Sequence, residues 1–253
     1  MRFFLEIQYD GTNYHGWQKQ PNANSVQAVL ESKLSQLFQC DILTMASGRT
    51  DTGVHCSQQF VHFDTDNLNM IPQLEFKLNK MLPSDISIPS IRRVKPETHT
   101  RFDATKRSYI YHIHQDKNPF LTRFSHQFFK KLDFTKMNRA CEILKEYDDF
   151  EAFSKTNTDV KTTICQIHYA EWKQVAQGRS EFHISANRFL RGMVRLITGA
   201  MLDVGTGKTS PEEFRNLIES KSRNRARHVV PACGLFLSKV EYPEGIFENE
   251  LLP

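Results

Sequence analysis

The sequence predicts an α+β protein made of two strand-rich halves, residues 1–100 and 101–253, carrying largely antiparallel sheets. Three observations lead there. Segments that alternate apolar and polar residues at period two recur along the chain. Helical stripes lie between them, so that the order strand, helix, strand, helix, strand of the first half returns with insertions in the second. No low-complexity linker divides the halves, which are therefore expected to share an interface and a cleft.

In chain order, Phe3, Leu5, Ile7 and Tyr9 alternate with Phe4, Glu6 and Gln8 as a first strand. Asp10 to Asn13 is a turn, and Tyr14 to Gln20 an aromatic, polar loop ending at Pro21. Ser25 suits the cap of a helix whose inward stripe is Val26, Val29, Leu30, Leu34 and Leu37. Ile42-Leu43 and the alternating Phe60-Val61-His62-Phe63 read as strands on either side of a polar loop. Pro72 suits the first turn of a helix with Leu74, Leu78 and Leu82 inward. Ile86 to Val94 is a strand, and Pro89 within it predicts an edge position or a break.

In the second half, Lys106 to Gln115 puts Tyr109, Tyr111 and Ile113 on one strand face and Ile110, His112 and His114 on the other. Met137, Ala140, Cys141 and Leu144 mark a helix. Ile164–Trp172 and Glu181–Ala186 are strands joined through a Gln177-Gly178 turn. Phe189, Leu190, Met193, Val194, Ile197 and Met201 form one helical stripe, with Arg191 and Arg195 a turn apart. Pro211 opens a helix with Phe214, Leu217 and Ile218 inward, and Gly234 to Val240 is a last strand.

Composition narrows the function. A chain of 253 residues can bury a sizeable core, and none of its stretches is long and apolar enough to span a membrane. The start, Met1 to Leu5, runs directly into polar residues, so no signal peptide is expected. Five scattered cysteines without a C-x-x-C pair fit reduced thiols in a cytoplasm rather than disulfides or a zinc site. The net charge of +4 permits a polyanionic partner. Cations gather at Arg92-Arg93, Lys106-Arg107, Lys130-Lys131 and from Lys221 to Arg227, near aromatic strands, as a phosphate backbone with stacking bases requires.

Several motifs fail. Gly205-Thr206-Gly207-Lys208-Thr209 imitates a phosphate loop, but Leu202 stands where Walker A needs glycine, and a helix precedes it. His112 and His114 lack a third ligand of evident spacing and read as sheet residues, so no metal is expected. What remains is Ala46 to His55, in which two glycines bracket Arg49-Thr50-Asp51-Thr52. Arg49 and Asp51, two apart on extended backbone, point the same way. A carboxylate without a metal or a neighbouring acid serves as nucleophile or general base, and a guanidinium nearby, from Arg49 or Arg195, favours its charged form. Tyr109 offers a stacking wall for a planar substrate, and the set suits chemistry at a nucleoside.

Gly48-Arg49-Thr50-Asp51-Thr52-Gly53-Val54-His55 closely resembles the active-site loop of pseudouridine synthases that modify the anticodon arm of tRNA. Tyr9-Asp10-Gly11-Thr12 with Gly16-Trp17-Gln18 resembles that family's amino-terminal signature. Arg101-Phe102-Asp103-Ala104 with Arg107-Ser108-Tyr109-Ile110-Tyr111 resembles its aromatic active-site strand. Asn187 to Arg195 and Pro231-Ala232-Cys233-Gly234-Leu235 resemble its later helix and closing segment. The chain departs from the pattern at Thr52, usually alanine, at Gln58, usually glycine, and at Arg227-His228-Val229-Val230.

The resemblance implies two similar α/β-sandwich halves, a central catalytic cleft and a homodimer, with no cofactor and no metal. It implies isomerisation of uridine to pseudouridine at tRNA positions 38, 39 and 40. Asp51 is then the essential carboxylate, which adds to the sugar, adds to the base or abstracts a ribose proton. Tyr109 stacks on the flipped uracil, Arg195 pairs with Asp51, and Leu235 packs beside the ring. Arg49 holds RNA at the pocket mouth, and Arg101 joins the substrate-binding set. The runner-up reading is a catalytically idle tRNA-binding or folding module on the same scaffold. A base-releasing hydrolase is a third, set apart by its product.

Overall fold

The amino-terminal alternation becomes strand β1, Arg2–Tyr9, in the computed structural model, which describes residues 1–155, 162–223, 226 and 228–248. The chain then forms α1 (Val26–Phe38), β2 (Met45–Ala46), β3 (His55–Asp64), α2 (Leu74–Met81) and β4 (Ile86–Val94). Next come β5 (Lys106–His114), β6 (His126–Gln127), α3 (Phe134–Leu144), β7 (Ile167–Ala176) and β8 (Arg179–Ala186). The chain closes with α4 (Met193–Gly205), α5 (Pro211–Glu219) and β9 (Leu235–Glu241). The class is α+β with largely antiparallel strand pairing, as the sequence predicts.

Two units divide the chain: Met1–Thr105 with Leu237–Pro253, and Lys106–Phe236. The first unit thus takes in the segment from Leu237 as well as the amino-terminal stretch. The reason is burial. β1 is flanked by β3 and β4, with Leu5 opposite Val61 on one side and Ile91 on the other. Phe3 stacks on Phe63 at 5.7 Å, whereas Phe4 meets Tyr242 at 5.4 Å and Phe247 at 6.0 Å. Phe3 and Phe4 are both fully buried, so β1 is covered on both faces, one of them by the late segment. Phe247 bridges to Val94 and lies under the Arg92 guanidinium, and Glu248 pairs with Arg93 at 3.1 Å.

Within this unit α1 begins where Ser25 accepts the Ala28 N–H, and its stripe ends on Phe38 rather than Leu37. Ile42-Leu43 is not a strand, and Leu43 is exposed. The Thr44 N–H and hydroxyl both donate to the buried carboxylate of Glu31 on α1, which takes this stretch out of strand pairing and leaves only the two residues of β2 against β3. Leu74, Leu78 and Leu82 of the α2 stripe are buried. Pro89 lies on the edge strand of this unit, at the point where the β1–β4 register shifts and no ladder bond is asked of it.

In the second unit β8 lies between β5 and β7, antiparallel to both, with Tyr111 opposite Phe182 and Phe182 opposite Trp172. α3 is sewn to β7 by Asn138, whose amide bonds the backbone N–H and carbonyl of Trp172 at 2.8 and 3.1 Å. α4 is buried on nearly every side, and Met201 receives the Trp172 indole N–H. The helix starts only at Met193, because Gly192 takes φ 74° and ends the preceding loop. Phe189 to Arg191 therefore precede the helix, and Arg191 is not one turn from Arg195. The phosphate-loop imitation is the connection from the end of α4 to α5, which opens with Pro211 and a Ser210–Glu213 capping box.

One buried histidine gives this fold a pH dependence. His62, on β3, is 7% exposed, lies 2.8 Å from the Thr100 hydroxyl, and is pushed down to about 4 by burial and by Arg2. A base whose pKa is lowered on folding binds protons more readily when unfolded, so stability is full above about 6.5 and falls as the pH drops toward 4. Denaturant titrations at pH 7 and pH 5 are expected to show this loss, and to show less of it in His62→Gln.

Candidate active site

The loop before β3 is shaped by what presses on it. Asp51 and Val54 close a tight turn, the Val54 N–H donating to the Asp51 carbonyl at 3.1 Å. The loop after β1 packs against this turn without side chains between them. A Cβ on Gly11 would fall 2.0 Å from the Val54 carbonyl oxygen, and one on Gly16 2.5 Å from that of Thr50. Gly16 also takes φ +87°, a conformation side chains disfavour. Through this gap Trp17 N–H donates to the Thr50 carbonyl at 3.2 Å and Gly53 N–H to the Tyr14 carbonyl at 3.2 Å. Tyr9 reaches the Thr50 hydroxyl at 2.8 Å, and the Tyr14 hydroxyl donates to Asp85 at 2.6 Å. Asp51 is half-buried on this clamped turn, and Arg49 beside it is exposed.

In the second unit a short strap does the organising. Arg195, in the first turn of α4, donates Nε–H to the Val230 carbonyl at 2.7 Å. The next carbonyl, Pro231, accepts the Tyr111 hydroxyl of β5 at 2.9 Å. Burial pushes the Tyr111 phenol and the Cys233 thiol up, and the Arg195 charge works against both shifts. Leu235, buried, opens β9 directly after this strap. Tyr109 is half-buried on β5, with its ring edge-on to Phe189 at 5.1 Å and 88°.

Each predicted residue thus has a place. Asp51 and Arg49 share one turn of the first unit, and Arg101, in the same unit, lies exposed at the turn before β5, its guanidinium 5.9 Å from the Phe102 ring. Arg195 is bonded to Val230 in the strap, Leu235 follows the strap, and Tyr109 stands two residues before Tyr111 on the same strand face, all in the second unit. Part of the basic surface is engaged internally: Arg93 by Glu248, Arg107 by the Asn187 carbonyl, Lys221 by Asp149 at 2.8 Å and Arg223 by Glu151 at 3.2 Å. Asn224, Arg225 and Arg227 lie outside the described residues.

The departures from the family pattern also acquire reasons. Gln58 donates to Glu6 at 3.2 Å and accepts the Val240 N–H at 3.2 Å, so it ties β3 to its neighbours rather than facing a ligand. Thr52 is exposed, and His228 pairs with Asp203 at 3.2 Å. Tyr9, Gly11, Gly16, Tyr111 and the carbonyls of Val230 and Pro231 received no individual role from the sequence. Their partners are remote in the chain, and no periodic pattern signals them.

Comparison with known proteins fits this geometry. A family model described as tRNA pseudouridine synthase matches residues 6–103 and 143–243. The tRNA pseudouridine synthase A of Bacteroides thetaiotaomicron is 47% identical over 252 residues, covering 98% of this chain and 93% of that protein. Those of Porphyromonas gingivalis and Bacillus pumilus are 45% and 36% identical, covering 97% and 96% of this chain and 99% of each relative. Fold, loop and relatives together define an isomerase that acts on RNA. The chain belongs to the tRNA pseudouridine synthase family, whose enzymes form pseudouridine in tRNA.

The Gly16 contact yields a measurable cost. Gly16→Ala meets both a backbone clash and an unfavourable φ, whereas Gly207→Ala, at φ +75° with open space around it, meets only the second. Gly207→Ala is expected to cost about 1 kcal/mol and Gly16→Ala clearly more, about 2–4 kcal/mol, in equilibrium unfolding.

Proposed function

We propose that this chain converts uridine to pseudouridine at positions 38, 39 and 40 in the anticodon stem-loop of tRNA, with Asp51 as the essential carboxylate. The observation that carries the reading is the clamped turn, which holds Asp51 at a fixed place beside an exposed Arg49 in a loop matching the family's active-site motif. In the reaction the bond from uracil N1 to ribose C1′ breaks, the base turns, and C5 bonds to C1′. The C5 hydrogen leaves to solvent and N1 gains a proton. One glycosidic bond replaces another, so no outside energy source, metal or cofactor is called on.

In this reading Arg195 is the ion-pair partner that aims Asp51, while Leu235 packs beside the uracil. Arg49 holds RNA at the pocket mouth, and Arg101 belongs to the substrate-binding set. A uridine in a stacked stem must first be extruded, at a cost of about a few kcal/mol. Stacking on Tyr109 offsets about 1–3 kcal/mol of that. The edge-on Phe189 supports the stacking role, because it fixes the plane of the Tyr109 ring. The protein is proposed to act as a cytoplasmic homodimer. No helix among the described residues is long and apolar enough to cross a membrane.

Tritium release from tRNA transcripts labelled at uridine C5 tests the chemistry, since the new bond expels that hydrogen. Release by the parent and none by Asp51→Asn, with tRNA affinity within about threefold because only one charge changes, is the expected result. Release at near-parental rate by Asp51→Asn would sink the carboxylate assignment, and no release by a parent that binds tRNA would favour an idle binding module. Tyr109→Phe is expected to turn over with its stacking face intact, and Tyr109→Ala to lose about tenfold or more in kcat/KM. A fully active Tyr109→Ala rules out the stacking role.

A further inference from the structure

We propose that Tyr9 is a positioning residue for Asp51 and acts through Thr50, an inference that rests on Asp51 being the essential carboxylate. Tyr9 ends β1 and is 4% exposed, and its hydroxyl lies 2.8 Å from the hydroxyl of Thr50, itself 8% exposed. Both groups are buried, so neither hydroxyl is presented to RNA. Their bond belongs to a closed circuit. The Tyr9 ring packs on Trp17, with centroids 6.2 Å apart, and the Trp17 N–H donates to the carbonyl of the same Thr50. Thr50 is thus held at two places, by its side chain from Tyr9 and by its carbonyl from Trp17.

The two grips do different things. The carbonyl bond fixes the plane of the peptide that joins Thr50 to Asp51. The hydroxyl bond fixes the Thr50 rotamer and the position of its Cα. Together they set the point and direction from which the Asp51 Cα–Cβ bond leaves the chain. On the far side the Gly53 N–H is held by Tyr14, so Asp51 lies between two anchored residues. A phenylalanine at position 9 would fill the same space, keep the contact with Trp17 and preserve the strand. It would lose the hydroxyl, and with it the bond to Thr50.

The test compares Tyr9→Phe, Thr50→Val, Thr50→Ser and Asp51→Ala in the full-length protein. One unmodified tRNA transcript tritiated at uridine C5 supplies kcat and KM, and filter binding supplies tRNA affinity. Asp51→Ala is expected to be inactive. Tyr9→Phe and Thr50→Val are expected to lose about ten- to hundredfold in kcat, the range a small misplacement of a reacting group produces. Their KM and tRNA affinity should stay close to those of the parent, and Thr50→Ser, which keeps the hydroxyl, should keep the parental kcat. The double variant Tyr9→Phe/Thr50→Val should be no slower than the slower single, because both remove the same bond. Parental kcat in Tyr9→Phe beside an inactive Asp51→Ala overturns the positioning role and leaves Asp51 in place. An active Asp51→Ala overturns the Asp51 assignment and the positioning role with it. Should Tyr9→Phe not fold, Thr50→Val against Thr50→Ser decides, and equal kcat in those two overturns the proposal.

Discussion

The turn that carries Asp51 is restrained by the direct contact of two backbones. The loops after β1 and before β3 leave the same end of the sheet, because Tyr9 pairs with Cys56. Being neighbours in register, they can touch, and Gly11 and Gly16 remove the atoms that would keep them apart. Once in contact, each satisfies the other's backbone groups: Trp17 with Thr50, Gly53 with Tyr14. The turn that carries Asp51 is therefore part of the sheet's end rather than an appendage to it.

The second unit reaches a similar result by another route. Its anchor is an extended strap whose consecutive carbonyls face different elements, Val230 toward Arg195 on α4 and Pro231 toward Tyr111 on β5. An arginine held through Nε has its guanidinium oriented by the protein before any ligand arrives. Burial of α4 on nearly all sides makes that orientation stiff, since the helix has no exposed face on which to roll.

Much of this was legible in the sequence, and for identifiable reasons. Period-two alternation located β1 and β5, and the Ser25 cap, the Pro211 start and the α2 leucine stripe located their helices, because those signals are local. Asp51 stood out through a motif whose residues are contiguous. Reading failed where the cause lies elsewhere in the chain. Ile42-Leu43 is apolar enough for a strand, but Glu31 takes the Thr44 N–H. The stripe from Phe189 looked helical across Gly192, yet the left-handed conformation there delays α4 to Met193. The partners of Tyr9 and Tyr111 lie 41 and 120 residues away, beyond any pattern in one segment.

The late segment that covers β1 has a consequence for how the protein is made. Residues 106–236 form one uninterrupted unit, so a ribosome delivers all of that unit before Tyr242 and Phe247 exist. The first unit begins synthesis first and is completed last, with Phe4 and Phe60 lacking their aromatic cover until those two residues emerge. During that interval the nascent chain carries an uncovered apolar strip on its first unit.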